Sequence, residues 1–80
     1  MHKLTNDEIY KNNVDTIAQF KVLEYLKKNL SIYDFKVYLY DKNTIKVIDK
    51  NFETGYFEYN SKTKNVVFTE TKNKNKDYEL

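Results

Sequence analysis

The residues best placed to do chemistry here are three tyrosines with two lysines among them. Tyr38, Tyr40 and Tyr56 recur at alternate positions with Lys36 and Lys46, and Ile48 falls in the same alternation. Tyr gives broad contact area with few rotors to freeze, which suits recognition of another macromolecule. Lys carries a positive charge on a long stem and steers an acidic partner or a phosphate chain. The competing explanation is that β-propensity alone favours Tyr on a solvated strand.

Catalytic and metal-binding chemistry finds no comparable set. His2 is the single histidine, and it stands at a terminus. With no Cys, disulfides and Cys-based metal sites are excluded. Asp7 and Glu8 suit a helix start, and Asp41 and Asp49 suit turns, so each carboxylate has a local role. Two turn aspartates fall short of the six or more oxygens that a calcium ion takes. Gly55 is the only glycine, so no glycine-rich phosphate loop exists. The expectation is a non-enzymatic protein with no cofactor.

Charge narrows the partner. The net charge is +2, all 14 basic residues are Lys, and there is no Arg. Arg is the fork that reads guanine edges and phosphates in pairs, so sequence-specific reading of nucleic acid is disfavoured. Lys72, Lys74 and Lys76 alternate with Asn near the C-terminus, offset in part by Asp77 and Glu79. Without an apolar anchor, such a run reads as a solubilising tail. Lys, Asn, Ile, Tyr and Phe make up 42 of the 80 residues, all with AT-rich codons. An AT-rich cellular genome or a phage or mobile element of such a host explains this equally well.

The elements that must position the tyrosines follow from the period of the pattern. Thr5-Asn6-Asp7-Glu8 has the spacing of a capping box, with Leu4 and Ile9 at the staple positions. Tyr10, Val14, Ile17 and Ala18 form one apolar stripe. Val22, Tyr25, Leu26 and Leu30 continue it rotated about the axis, with Phe20 and Leu23 off it. Either one helix is buried on a wide arc, or it breaks near Asn12-Asn13 and restarts on an Asn cap. The break is favoured, giving a short helix over 6–12 and a main helix over 14–28. Lys27 and Lys28 then suit the last turn, and Asn29 suits a left-handed stop with Leu30 folded back.

After a connector over 31–34 the period becomes two. Phe35, Val37 and Leu39 face one way, and Lys36, Tyr38 and Tyr40 the other. Asp41-Lys42-Asn43 and Asp49-Lys50-Asn51 are turns, because Asp bonds the turn backbone and Asn tolerates positive φ. Between them Ile45 and Val47 share a face. A third strand over 53–59 alternates Gly55, Phe57 and Tyr59 with Thr54, Tyr56 and Glu58. Gly55 there marks either a bulge or a close helix approach. A longer turn over 60–65 leads to Val66 and Phe68, which alternate with Val67 and Thr69.

The expected fold is therefore α+β. An N-terminal helix, broken near Asn12-Asn13, packs on one face of a four-stranded antiparallel meander. Residues 1–70 form one domain and 71–80 a disordered polar tail. The second sheet face is left with Lys36, Tyr38, Tyr40, Lys46, Ile48, Tyr56, Glu58 and Val67. No apolar run approaches the roughly 20 residues of a membrane span, and no signal-peptide core follows Met1, so a cytoplasmic protein without membrane contact is expected.

Three functions fit this reading. The first is a binding protein that docks on a larger protein through Tyr38, Tyr40 and Tyr56, with Lys36 and Lys46 steering and Ile48 adding contact. Small size and AT-rich coding point to a phage- or mobile-element-encoded inhibitor of a host defence nuclease, of the anti-CRISPR or anti-restriction kind. The second is a single-stranded nucleic-acid-binding module using the same face, a layout that resembles sheet-faced RNA binders. The third is a homodimeric structural or regulatory subunit, joined through that face or through a sheet edge.

Overall fold

Two capping boxes decide where the helices begin. The computed structural model describes residues 1–70 and opens with a short strand, β1 (His2–Leu4), followed by α1 (Asn6–Tyr10) and α2 (Ile17–Asn29). At α1 the Thr5 hydroxyl accepts from the Glu8 amide, and Glu8 accepts in return from the Thr5 amide. At α2 the same reciprocal pair joins Thr16 and Gln19. Each box satisfies amides that a helix start would otherwise leave without partners.

A 3-10 turn (Ile32–Asp34) then leads into β2 (Lys36–Asp41), β3 (Thr44–Ile48), β4 (Thr54–Asn60) and β5 (Asn65–Thr69). The sheet order is β1-β2-β3-β4-β5, and every pair is antiparallel. The molecule is thus an α+β layer pair with five strands rather than four. The added strand is β1, whose residues His2, Lys3 and Leu4 lie beside Leu39, Tyr38 and Val37. Three residues carry no readable period, so only the neighbouring β2 edge makes them a strand.

The core lies between α2 and the sheet. Val22, Leu23 and Leu26 from α2 meet Val37, Leu39, Ile45, Val47 and Phe57, and Leu4, Ile9 and Ile32 close its ends. The break between helices is real, but both segments are shorter than their expected bounds. Asn12 ends the first by taking a left-handed φ of 57°. The restart uses Thr16, not an Asn, as its cap. The buried face is rotated from the expected stripe: Tyr10 and Ile17 are 73% and 78% exposed, while Leu23 is fully buried.

Helix α2 also ends differently. Leu30 leaves in an extended conformation, and Asn29 Nδ2 donates to the Tyr25 carbonyl instead of terminating the helix through positive φ. Lys27 has a specific task. Its ammonium donates to the carbonyls of Ile9 (3.0 Å) and Tyr10 (3.3 Å) and to Asn12 Oδ1 (2.9 Å). It therefore caps the C-terminal end of α1 from its neighbour, where a cation opposes the negative end of the dipole.

The turns follow the expected Asx chemistry. Asp41 and Asp49 each accept from the amide two residues on, and Asn60 does the same in the last turn. Positive φ, however, falls on Phe52 (65°) and Lys64 (61°), not on the turn asparagines. Gly55 marks neither a bulge nor a helix approach. A Cβ there would lie 2.6 Å from Cε1 of Phe68, so the glycine makes room for a neighbouring ring. The expected tail over 71–80 lies outside the described residues.

Candidate binding face

Because α2 covers one side of the sheet, alternation turns Lys36, Tyr38, Tyr40, Lys46, Ile48 and Tyr56 to the other side. The register brings them together. Lys3 lies opposite Tyr38, Tyr38 opposite Lys46, Lys46 opposite Tyr56, and Tyr56 opposite Thr69. One row across all five strands therefore alternates cation and ring before ending on a hydroxyl. A second row joins Lys36, Ile48 and Thr54.

The side chains in these rows hold one another. The Lys46 ammonium stands 5.5 Å from the centroid of the Tyr38 ring. Tyr40 and Tyr56 meet edge to face, with centroids 4.9 Å apart and planes at 72°. Both are arrangements that the ring quadrupole favours. Tyr40 reaches Tyr56 because β2 is irregular at that point: Leu39 pairs with Ile45 but Asp41 with Thr44, leaving Tyr40 as the extra residue. Such a bulge bends its strand and re-aims the side chain. All three tyrosines, Lys46 and Ile48 are half-buried, whereas Lys36 is exposed. Lys3, Lys36 and Lys46 share this face with Glu58 and with Asp41, which flank Thr44 in one cross-strand row, so the excess of positive charge is small.

Two contributors were not singled out from the sequence. Lys3 joins the face only because β1 pairs with β2. Phe52 falls between the expected second turn over 49–51 and the third strand over 53–59; it is 80% exposed, and Lys36 Nζ lies 6.0 Å from its ring centroid. A bulky residue at positive φ is a strained choice, and nothing in the sequence pattern signals it. Thr44 adds a local oddity. It is fully buried, and its Oγ1 has no hydrogen-bond partner among the described residues.

The opposite side carries a groove of about 760 Å³ between α2 and the β4–β5 end of the sheet. Tyr25, Phe57 and Phe68 line it together with Asp49, Glu53 and Glu70. Among the described residues, no group of three or more His, Asp or Glu side chains is arranged to hold a metal ion. No described helix is long and apolar enough to cross a membrane. No protein-family model, curated protein or solved structure matches this chain significantly.

Proposed function

We propose that this is a non-enzymatic binding protein whose outer sheet face docks on an acidic surface of a larger protein. The observation that supports this most is the mutual packing of the anchors. Tyr40 rests on Tyr56 and Lys46 stands over Tyr38 through contacts within the chain itself. Side chains already ordered lose less freedom on association, and buried aromatic anchors carry most of the energy of such contacts. Lys3, Lys36 and Lys46 supply the charge that selects and orients the partner.

The partner class we propose is a host defence nuclease met in the cytoplasm. Its support is the AT-rich coding and the slightly basic charge, which suits contact with protein rather than imitation of DNA. Cleavage by a panel of CRISPR effector and restriction nucleases, with and without the protein, tests this. At least one enzyme should be inhibited, and Tyr56→Ala should relieve that inhibition by tenfold or more in effective concentration, on the order of one interface anchor. Inhibition unchanged in Tyr56→Ala would move the contact off this face, and a panel left uninhibited would remove the nuclease class.

A second reading is single-stranded nucleic acid, favoured by the alternation of Lys3, Tyr38, Lys46 and Tyr56 across the strands. Rings and cations in alternation suit bases and phosphates. Against it, the edge-to-face pair covers one ring face that a base would need. Fluorescence anisotropy with a labelled mixed-sequence strand separates the two readings. Binding that falls steeply with salt and is lost in Tyr38→Ala assigns the face to nucleic acid. No binding at low salt removes that reading.

A further inference from the structure

We infer that the protein forms a two-fold dimer in which β5 pairs antiparallel with β5 of a second copy, centred on Val67. It rests on the backbone edge of β5 and not on the outer-face reading, although the Val67 side chain lies at the margin of that same face, opposite Glu58. Among the described residues, β1 and β5 are the two edges of the sheet. Edges are templates for pairing unless they are short, charged or interrupted. Strand β1 has three residues and carries Lys3. Strand β5 has five, Asn-Val-Val-Phe-Thr, with no charge and no proline. Its Val67 and Phe68 are 47% and 54% exposed. Among the described residues, one edge is defended and the other is open.

The residues of β5 are complementary to themselves in a single register. With Val67 on the axis, Val66 faces Phe68 of the second copy and Asn65 faces Thr69, so apolar meets apolar and polar meets polar. Just beyond the strand ends stand Lys64, in the β4–β5 turn at a left-handed φ of 61°, and Glu70; both are exposed, and the pairing brings these opposite charges near one another twice by symmetry. Cross-strand pairs of these kinds are the units that stabilise a sheet. Moving the axis to Phe68 sets Val66 against Glu70, and moving it to Val66 sets Phe68 against Lys64. Each of those shifts places a charge against an apolar side chain. Residues opposite one another must share a face, so only shifts of two residues compete.

The helix layer leaves room for this contact. Helix α2 covers the sheet only as far as the groove at Phe57 and Phe68, whose ring centroids are 5.0 Å apart. Across the proposed axis the two β4 strands stand three strand spacings apart, roughly 14 Å. That exceeds the roughly 10–12 Å width of a helix with its side chains. The two α2 helices then flank a valley filled by Val66 and Phe68 from each copy. The result is a ten-stranded sheet whose two outer faces lie on one side.

Sedimentation of the full chain, from micromolar to near-millimolar concentration, tests the dimer and its register. The mass should rise with concentration from 9.7 kDa toward twice that value. Val67→Lys should lose the rise while keeping the far-ultraviolet circular dichroism of the wild type. Lys64→Glu should weaken dimerisation by about tenfold, the scale of two surface ion pairs turned into repulsions. Lys64→Glu combined with Glu70→Lys should restore it. A mass fixed at the monomer value throughout would overturn the proposal. So would a dimer that Val67→Lys leaves intact, or a charge reversal that the double variant fails to repair.

Discussion

Gln19 ties the helix layer to the sheet through one buried amide. It is 3% exposed, and its Oε1 accepts from the amides of Asp15 (2.8 Å) and Thr16 (3.2 Å). Its Nε2 donates to the Asp41 carbonyl at 2.7 Å. The Thr16 hydroxyl adds a parallel link by donating to the Lys42 carbonyl. The first turn of α2 is thus bonded to the β2–β3 turn beside the candidate face. Gln19→Ala leaves several of these groups without partners and should destabilise the fold by about 2–3 kcal/mol in urea titration. A loss below about 0.5 kcal/mol would mean that water replaces the amide. Phe52 illustrates the opposite case. It holds a positive φ of 65° while largely exposed, and its contact with Lys36 lies at 6.0 Å, so it gains the fold little.

At the scale of elements, α1 is five residues long and depends on its caps. An isolated helix of that length does not persist in water. Glu8 holds its N-terminal end and Lys27 its C-terminal end. The Thr5 amide donates to the Glu8 carboxylate at 2.9 Å, and this bond above all holds the carboxyl below its ordinary value of 4.5. Burial opposes the shift, and His2, whose Nε2 lies 3.2 Å from the carboxylate, adds to it. A carboxyl with a lowered folded value stabilises the fold above its unfolded value and loses that contribution as pH falls through the folded one. The urea midpoint of the wild type should therefore exceed that of Glu8→Gln at neutral pH. The gap should close as pH drops below 4.5. A gap independent of pH would show that the charge on Glu8 contributes nothing.

The whole molecule has a thin margin. An 80-residue domain is held by roughly 4–12 kcal/mol, so single core residues matter. Leu23 is fully buried among Val22, Leu26 and the sheet. Leu23→Ala should cost about 3 kcal/mol and lower the melting temperature by roughly 15 °C. If thermal scans gave a fall of only a few degrees, the core would be collapsing into the space left behind. Around this core the molecule presents two surfaces of different character: a Lys- and Tyr-bearing sheet face, and an apolar β5 edge beside a groove with three carboxylates. The β5 edge borders the Tyr-bearing face at Val67, so Lys64 and Glu70 are the positions at which changes should alter assembly without touching the Tyr38, Tyr40 and Tyr56 anchors.

Local chemistry made much of this legible in the sequence. The Thr5–Glu8 box, the Asp-led turns and the two-residue period act through neighbours in the chain, so they located α1, the hairpins and the face bearing Tyr38, Tyr40 and Tyr56. What depended on distant partners was settled only by the tertiary structure. Residues His2–Leu4 are a strand because β2 offers an edge. Gln19 is buried because the carbonyl of Asp41 awaits it. Leu23 replaces Ile17 in the core because the angle between α2 and the sheet, not the helical period alone, selects the buried face. Gly55 is needed because the Phe68 ring, on the adjacent strand, occupies the place of its side chain. Period and capping are written within a few residues, whereas register, edge and burial are properties of segments that meet only when the chain has folded.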